Sequence, residues 1–442
     1  MAREYKDSGI EWIGQIPKEW EVSKLKYLTT LLQSGGTPTS SNASLYCEDG
    51  TSWVAIGDMR HCGEISYTQK HLTDEGLKEK SLIVFPVGTL LYSIYASVGK
   101  VSILGIPAAI NQAILAISLN EKAKQEYVKF VLTSMENYVF SLANGNTQFN
   151  LNAGIVSNFV LPLPSLLSQQ KIADYLDKVC GEVDEMVALQ ETMIEELKAY
   201  KQSVITEAVT KGLNPNAPMR NSGIDWIGEI PEHWDFARVG LFYFVTKLAG
   251  FEYTDTLMNK ISSSDVVPIV RAQNVRMFRF EKESISEYID LDTSLQLDRC
   301  SLNKKSLLMT FIGAGIGDVC IFNEPKRYHL APNVAKIEKN SDYDDIICDE
   351  YIMYYLGSDA GKGEINKISK ASAQASLSMS TIRRIAVVIP PMSEQQQIVC
   401  YLDAKCNEID SLVALKQAKI EELNDYKKSV IYEYVTGKKE VV

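Results

Sequence analysis

The chain has 442 residues, 45% hydrophobic and 23% charged, with a formal net charge of −11. That balance belongs to an ordinary folded protein with room for two or three domains, and it excludes a disordered or fibrous chain. Eight cysteines without a CxxC pair or a His/Cys ligand spacing argue for reduced thiols in the cytoplasm and against a zinc site.

The opening residues Met1 to Asp7 have no apolar core and do not read as a signal peptide. Ser8-Gly9-Ile10-Glu11-Trp12-Ile13-Gly14-Gln15-Ile16-Pro17-Lys18-Glu19-Trp20 follows, and a loop of small polar residues runs from Ser34 to Asn42. Short apolar runs at 53–56, 81–85, 89–94 and 100–104, punctuated by Gly and Pro, read as strands. Val101 to Leu119 is the best transmembrane decoy, but it contains Pro107, Asn111 and Gln112 and reads as buried strands. A helix is expected over 122–142, then an amide-dense loop from Asn144 to Asn152.

From Gln169 to about Thr210 one long helix is expected, with Ser168 at its N-cap and Gly212 and Pro215 ending it. Ile172, Leu176, Val179, Val183, Met186, Gln190, Met193, Leu197, Tyr200 and Val204 follow a 4-3-4-3 spacing, a heptad seam that calls for a partner helix.

The chain then repeats itself. Ser222-Gly223-Ile224-Asp225-Trp226-Ile227-Gly228-Glu229-Ile230-Pro231-Glu232-His233-Trp234 restates residues 8–20 at an offset of 214 (222 against 8). Strands are expected at 266–270, 306–310 and 318–322, and a helix at 349–357. A second long helix runs from about Ser393 to Thr436, closed by Gly437, with Ile398, Leu402, Ile409, Leu412, Leu423, Tyr426 and Val430 in its seam. Tyr175-Leu176-Asp177 and Tyr401-Leu402-Asp403 set the closing offset at 226. Lys405, Lys416 and Lys419 interrupt the second seam and are expected to face Glu182, Glu185 and Glu191 of the first helix. A period above two hundred residues means a duplicated domain pair rather than a solenoid. The fold class is therefore mixed α/β (α+β): two globular domains, 1–165 and 214–390, joined by two long antiparallel coiled-coil helices in the segments 166–213 and 391–442, with an internal pseudo-two-fold repeat.

The acidity is densest in the helical segments. Residues 166–213 carry 5 basic and 9 acidic side chains, against 13 and 15 in 1–165 and 20 and 23 in 214–390. Near-neutral globular segments that met DNA would need a partner to supply part of the phosphate contact. Catalytic motifs are missing. Phe311-Ile312-Gly313-Ala314-Gly315 matches an S-adenosylmethionine-binding pattern, but the first half lacks those glycines and no Asn/Asp-Pro-Pro-aromatic motif follows, so it reads as a glycine-rich strand–turn. Gly99-Lys100 is no phosphate loop, and the four histidines fit neither HExxH nor a nucleophile elbow. No metal site and no catalytic residue is expected.

What remains are polar tips suited to base readout: Thr37, Thr39, Asn42 and Arg60, and then Asn144, Asn146, Gln148 and Asn150, amides of the kind that read adenine edges. In the second half Gln374 stands 226 residues after Gln148, joined by Arg271, Arg276, Arg279, Lys304, Lys305, Lys326 and Arg327.

The two openings at Ser8 and Ser222, with Pro164-Ser165-Leu166-Leu167-Ser168-Gln169-Gln170-Lys171-Ile172 and Pro390-Pro391-Met392-Ser393-Glu394-Gln395-Gln396-Gln397-Ile398 leading into the helices, make the whole chain resemble the specificity subunit of Type I restriction–modification systems. The resemblance implies two target-recognition domains, each reading half of a split, asymmetric site on double-stranded DNA. It also implies helical regions that dock two methyltransferase subunits, and restriction/motor subunits that join the complex. Adenine methylation with S-adenosylmethionine and cleavage driven by ATP and Mg would sit on those partners, with no cofactor here. A self-contained DNA methyltransferase or nuclease, or a helical scaffold without DNA, are the alternatives.

Overall fold

A computed structural model of the chain describes residues 3–59, 63–95, 98–142, 151–224, 226–313, 315–369 and 376–441. It divides into two compact units. The first comprises residues 1–191 with 418–442, and the second residues 192–417. Each unit therefore contains one globular domain and part of both long helices, Leu166–Lys211 and Met392–Val435.

The first unit is built on a five-stranded sheet in the order Thr29–Ser34, Ile114–Leu119, Leu90–Ser93, Val101–Leu104, Gly63–Ile65. Only its last pair is parallel, with Ser102 opposite Gly63. Ile114 to Ile117 are buried, so this strand packs on both faces, and Val101–Leu119 resolves into three strands. A four-stranded sheet lies beside it, in the order Ala109–Ile110, Thr51–Val54, Lys70–Leu72, Tyr46–Cys47.

The second unit repeats the plan. Its main sheet runs Tyr243–Lys247, Val334–Lys339, Ser306–Thr310, Val319–Phe322. Its smaller sheet runs Tyr288–Ile289, Val267–Val270, Tyr328–Leu330, Ser301–Leu302.

Two expectations are corrected locally. Residues 81–85 form no strand: Ser81 takes φ +49°, Ile83 and Val84 are exposed, and only Phe85 bridges to Ala108. The apolar run lacks a neighbouring strand to pair with, so composition alone misleads there. The helix expected over 122–142 is two helices, Gln125–Ser134 and Glu136–Leu142.

Each unit pairs a segment of one long helix with a segment of the other. In the first unit Ile172, Leu176 and Cys180 share a core with Val430, Ile431 and Val435. Tyr175 stacks on Tyr434 at 4.5 Å and Lys427 Nζ meets Asp184 at 2.6 Å, so the two helix segments run antiparallel. In the second unit Val204, Ile205, Ala208 and Val209 pack with Ile398, Leu402 and Cys406, and Lys201 Nζ meets Asp410 at 2.6 Å. Lys201 and Lys427, and Asp184 and Asp410, each differ by the repeat offset of 226, so one ion pair has been duplicated.

Two kinds of buried clamp also recur, the glutamines at an offset of 226 (395 against 169) and the tyrosines at 224 (351 against 127). Gln169 Oε1 accepts from Lys124 N at 2.7 Å, while its Nε2 donates to Pro164 O and Lys122 O. Gln395 Oε1 accepts from Cys348 N at 2.9 Å, while its Nε2 donates to Pro390 O and Ile346 O. The Tyr127 hydroxyl sits between Pro162 O and Val435 O, at 3.0 and 3.2 Å. The Tyr351 hydroxyl sits between Val388 O and Val209 O, at 3.0 and 3.1 Å. Thus the end of the second helix closes the first unit, and the end of the first helix closes the second.

The repeated openings cover those helix ends. Gly212 and Gly437, at φ +75° and +71°, end the helices in the left-handed conformation that glycine adopts without strain. A Cβ on Gly212 would lie 3.0 Å from Trp234, and one on Gly437 would lie 2.5 Å from Pro17 and 3.1 Å from Trp20. The proline and tryptophan shared by the two openings are therefore explained by packing against a helix terminus.

The seam differs in detail from the heptad expectation. Ile172, Leu176, Val183, Val204, Ile398, Leu402, Ile409, Leu423 and Val430 are buried and Leu197 is half-buried, but Tyr200 and Tyr426 are 54% and 53% exposed. Ile194 and Ile420 are buried instead, and Lys201 and Lys427 lay their stems where the tyrosines were expected. A straight helix of 3.6 residues per turn drifts about 20° per heptad from a 3.5 repeat, which rotates the buried face by one position. Lys405 and Lys419 pair with Glu408 and Glu422 on their own helix rather than with Glu182, Glu185 or Glu191.

Candidate nucleic-acid interface

In each unit one antiparallel strand pair of the main sheet, Leu90–Ser93 with Val101–Leu104 or Ser306–Thr310 with Val319–Phe322, ends in a glycine turn. In the first, Gly99 (φ +90°) donates its N–H to Ser93 O at 3.0 Å. In the second, Gly317 (φ +88°) donates to Thr310 O at 2.9 Å, and Gly313 takes φ +106°. These glycines serve a turn, as the sequence reading of Phe311 to Gly315 expects.

The segment after each amide-rich or serine-rich loop is tied to that same turn. Leu151 N donates to Ile94 O at 3.2 Å and Leu377 N to Phe311 O at 2.9 Å, and both leucines are buried. Ser376 also bridges to Ile312. Buried leucines thus anchor the chain next to the turn, a pairing visible beforehand only as a shared offset. Arg60, Asn144, Asn146, Gln148, Asn150 and Gln374 lie outside the described residues.

The second unit adds a hairpin at the same end. Val275–Arg276 pairs with Arg279–Phe280, and Arg276 and Arg279 are direct cross-strand neighbours. Phe278 N donates to Val319 O at 2.8 Å, fastening the hairpin to the strand that leaves the glycine turn. The Phe278 ring sits 5.3 Å from Tyr354 and against Gly357, where a Cβ would collide with it. Arg279 Nε meets Glu281 at 3.0 Å. Burial raises the Asp318 carboxyl above its ordinary range, and the charges of Arg276 and Lys362 pull it back down. Asp318 and Lys362 escaped the sequence reading. The available signal was a charge reversal, since Gly99-Lys100-Val101 of the first half becomes Gly317-Asp318-Val319 in the second.

The remaining candidates are dispersed. Lys304 and Lys305 precede the opposite end of the Ser306–Thr310 strand, where Lys305 pairs with Glu350 at 2.6 Å and Lys304 lies 3.8 Å from Glu338. Arg271 is half-buried; burial opposes its charge, but Glu287 at 2.6 Å and Tyr253 outweigh that and raise its pKa. Arg327 clamps Ser294 and Asp298, and Lys326 is exposed beside it. Thr37 bonds Gln112, Thr39 bonds Glu79 at 2.6 Å, and Asn42 caps a 3-10 turn through Ser44. The structure therefore brings Arg276 and Arg279 to the turn, while Arg271 and Arg327 have internal structural partners.

Among the described residues no group of three or more His, Cys, Asp or Glu is arranged to hold a metal, and no helix is long and apolar enough to cross a membrane.

Residues 17–199 and 259–425 match the family described as Type I restriction modification DNA specificity domain. The chain belongs to that family: it is a specificity subunit, the non-catalytic component of a Type I restriction system. It is 24% identical over 438 residues to the putative Type I restriction enzyme MjaX specificity subunit of Methanocaldococcus jannaschii, covering 96% of this chain and 95% of that one. It is 22% identical over 440 residues to the EcoKI specificity subunit of Escherichia coli K12, covering 96% and 90%. A solved chain reported under "Structural basis underlying complex assembly and conformational transition of the type I R-M system" shares the fold, with a TM-score of 0.69 at 15% identity over 95% of this chain and 98% of that one.

Proposed function

We propose that each unit reads one half of a split, asymmetric site on double-stranded DNA, within a cytoplasmic complex of two methyltransferase subunits and restriction/motor subunits. Residues 1–165 and 214–390 act as the recognition domains, and 166–213 and 391–442 as helical spacers that also dock the partners. S-adenosylmethionine, ATP and Mg are bound by those partners. The observation that carries this reading is one architecture presented twice with unlike chemistry at its turn: Lys100 in one unit, and Asp318 beside an arginine hairpin in the other. Like scaffolds with unlike tips suit unlike half-sites. Partner docking is supported by apolar side chains left exposed on the helices at repeat-equivalent positions, Leu189 at 52% and Leu415 at 66%.

The test replaces residues 214–390 with the matching segment of a relative and maps adenine methylation by single-molecule sequencing of a host carrying the complete system. One half of the methylated motif should change and the other persist. A change in both halves, or in neither, would refute one-unit, one-half-site reading. Purified alone, the chain should neither methylate nor cleave DNA.

A further inference from the structure

The hairpin Val275–Phe280 in the second unit holds three features that work against its own stability. Arg276 and Arg279 face each other across the strand pair, where like charges repel. Phe278 holds φ +64°, a left-handed conformation rarely adopted by an aromatic residue. The Asp318 carboxylate is partly buried beside the turn instead of being fully solvated. Such local costs persist where surrounding structure enforces them, and they collect at functional sites. Here the enforcement is visible: the Phe278 ring packs on Tyr354 and its N–H is bound to Val319 O. Glu281 takes up Arg279 at 3.0 Å, while Arg276 stays exposed.

A rigid hairpin that presents an exposed guanidinium is a preorganised reader: its tethered backbone fixes where the fork starts, so less freedom is lost when it meets a base edge. An arginine fork matches the O6 and N7 acceptors of guanine in the major groove, whereas a lysine offers a point charge. The anionic duplex would also relieve the repulsion between the two arginines.

We propose that Arg276, held out by this tethered hairpin, is a specificity-determining residue of the second unit and selects a G·C base pair in its half-site. This rests on the DNA-reading function proposed above. Among the described residues of the first unit the counterpart is a strand, residues 63–65, parallel to Val101–Leu104.

The experiment uses the complete methyltransferase complex and a DNA library randomised across both half-sites, with adenine methylation read by sequencing. The wild-type complex first defines the motif. Arg276→Lys keeps the charge at an exposed position and removes the fork. It should relax one G·C position of the second half-site by about 5- to 150-fold, the range for one bidentate pair, and leave the first half-site unchanged. Three outcomes would overturn the proposal: an unaltered motif with Arg276→Lys, relaxation confined to the first half-site, or a uniform loss over all sequences, which marks a phosphate contact. A wild-type motif without a G·C pair in the second half-site would also overturn it. If the wild-type complex methylates no bipartite site, the DNA-reading function itself fails, and that result is distinct from any of these.

Discussion

Gln395 offers the sharpest test of how the second unit is locked to its helix. The side chain is fully buried and makes three hydrogen bonds: Cys348 N to its Oε1 at 2.9 Å, and its Nε2 to Ile346 O and Pro390 O at 2.9 and 2.8 Å. Gln395→Ala leaves one N–H and two carbonyls without that partner, Pro390 O buried and the other two partly buried, at about 1–3 kcal/mol for each group that stays unsatisfied. Water can enter the space of the lost amide and recover part of this, so the net expectation is about 3–5 kcal/mol. For a unit of this size that corresponds to about 6–20 °C in Tm, at ~2–4 °C per kcal/mol. Gln395→Glu should be at least as harmful, because it replaces two donated bonds by a buried charge facing two carbonyl oxygens. Since two units need not unfold together, the decisive assay is amide exchange. The Cys348 N–H should lose protection in the Gln395 variants while the Lys124 N–H, bound to Gln169, keeps its own; Gln169→Ala should give the opposite pattern. If Gln395→Ala leaves Cys348 protected and Tm within a degree, the clamp is not what secures this helix.

Three further outcomes follow from the same geometry. Lys427→Glu should cost about 1 kcal/mol or less, because Asp184 is well exposed, and adding Asp184→Lys should restore part of the loss; a double-mutant cycle with no coupling would show the pair to be incidental. His329 is fully buried with Nδ1 2.9 Å from Leu330 O, and burial lowers its pKa, so the neutral ring is favoured in the fold. Its contribution is complete above the ordinary histidine value near 6.5 and is lost as pH falls below it. The wild type should therefore lose more Tm between pH 7 and 5 than His329→Leu, even though that variant is weaker at pH 7; equal slopes would refute this. Finally, residues 1–213 contain both members of the duplicated ion pair, Lys201 and Asp184, and two copies should pair helix to helix into a symmetric dimer. A monomer by light scattering would count against that.

Much of the architecture was legible in the chain because it is written twice. The recurrence of Ser8–Trp20 at Ser222–Trp234 and the long 4-3-4-3 runs establish two like halves and two long helices from sequence alone, since apolar periodicity reports directly on local conformation. Three things were beyond that reach. The exchange of helix ends, with Val435 meeting Tyr127 and Val209 meeting Tyr351, depends on contacts between residues 308 and 142 positions apart. The seam turned by one residue, so Tyr200 and Tyr426 yielded their places to the stems of Lys201 and Lys427, because the real helical repeat is not the heptad. At the candidate interface, composition marked Arg271, Arg276, Arg279 and Arg327 alike, yet Glu287 and the Ser294–Asp298 pair engage the first and last, Glu281 engages Arg279, and Arg276 stays exposed on the hairpin beside the glycine turn. A charge is visible in sequence; whether it is already answered from within depends on which carboxylate the tertiary fold brings beside it.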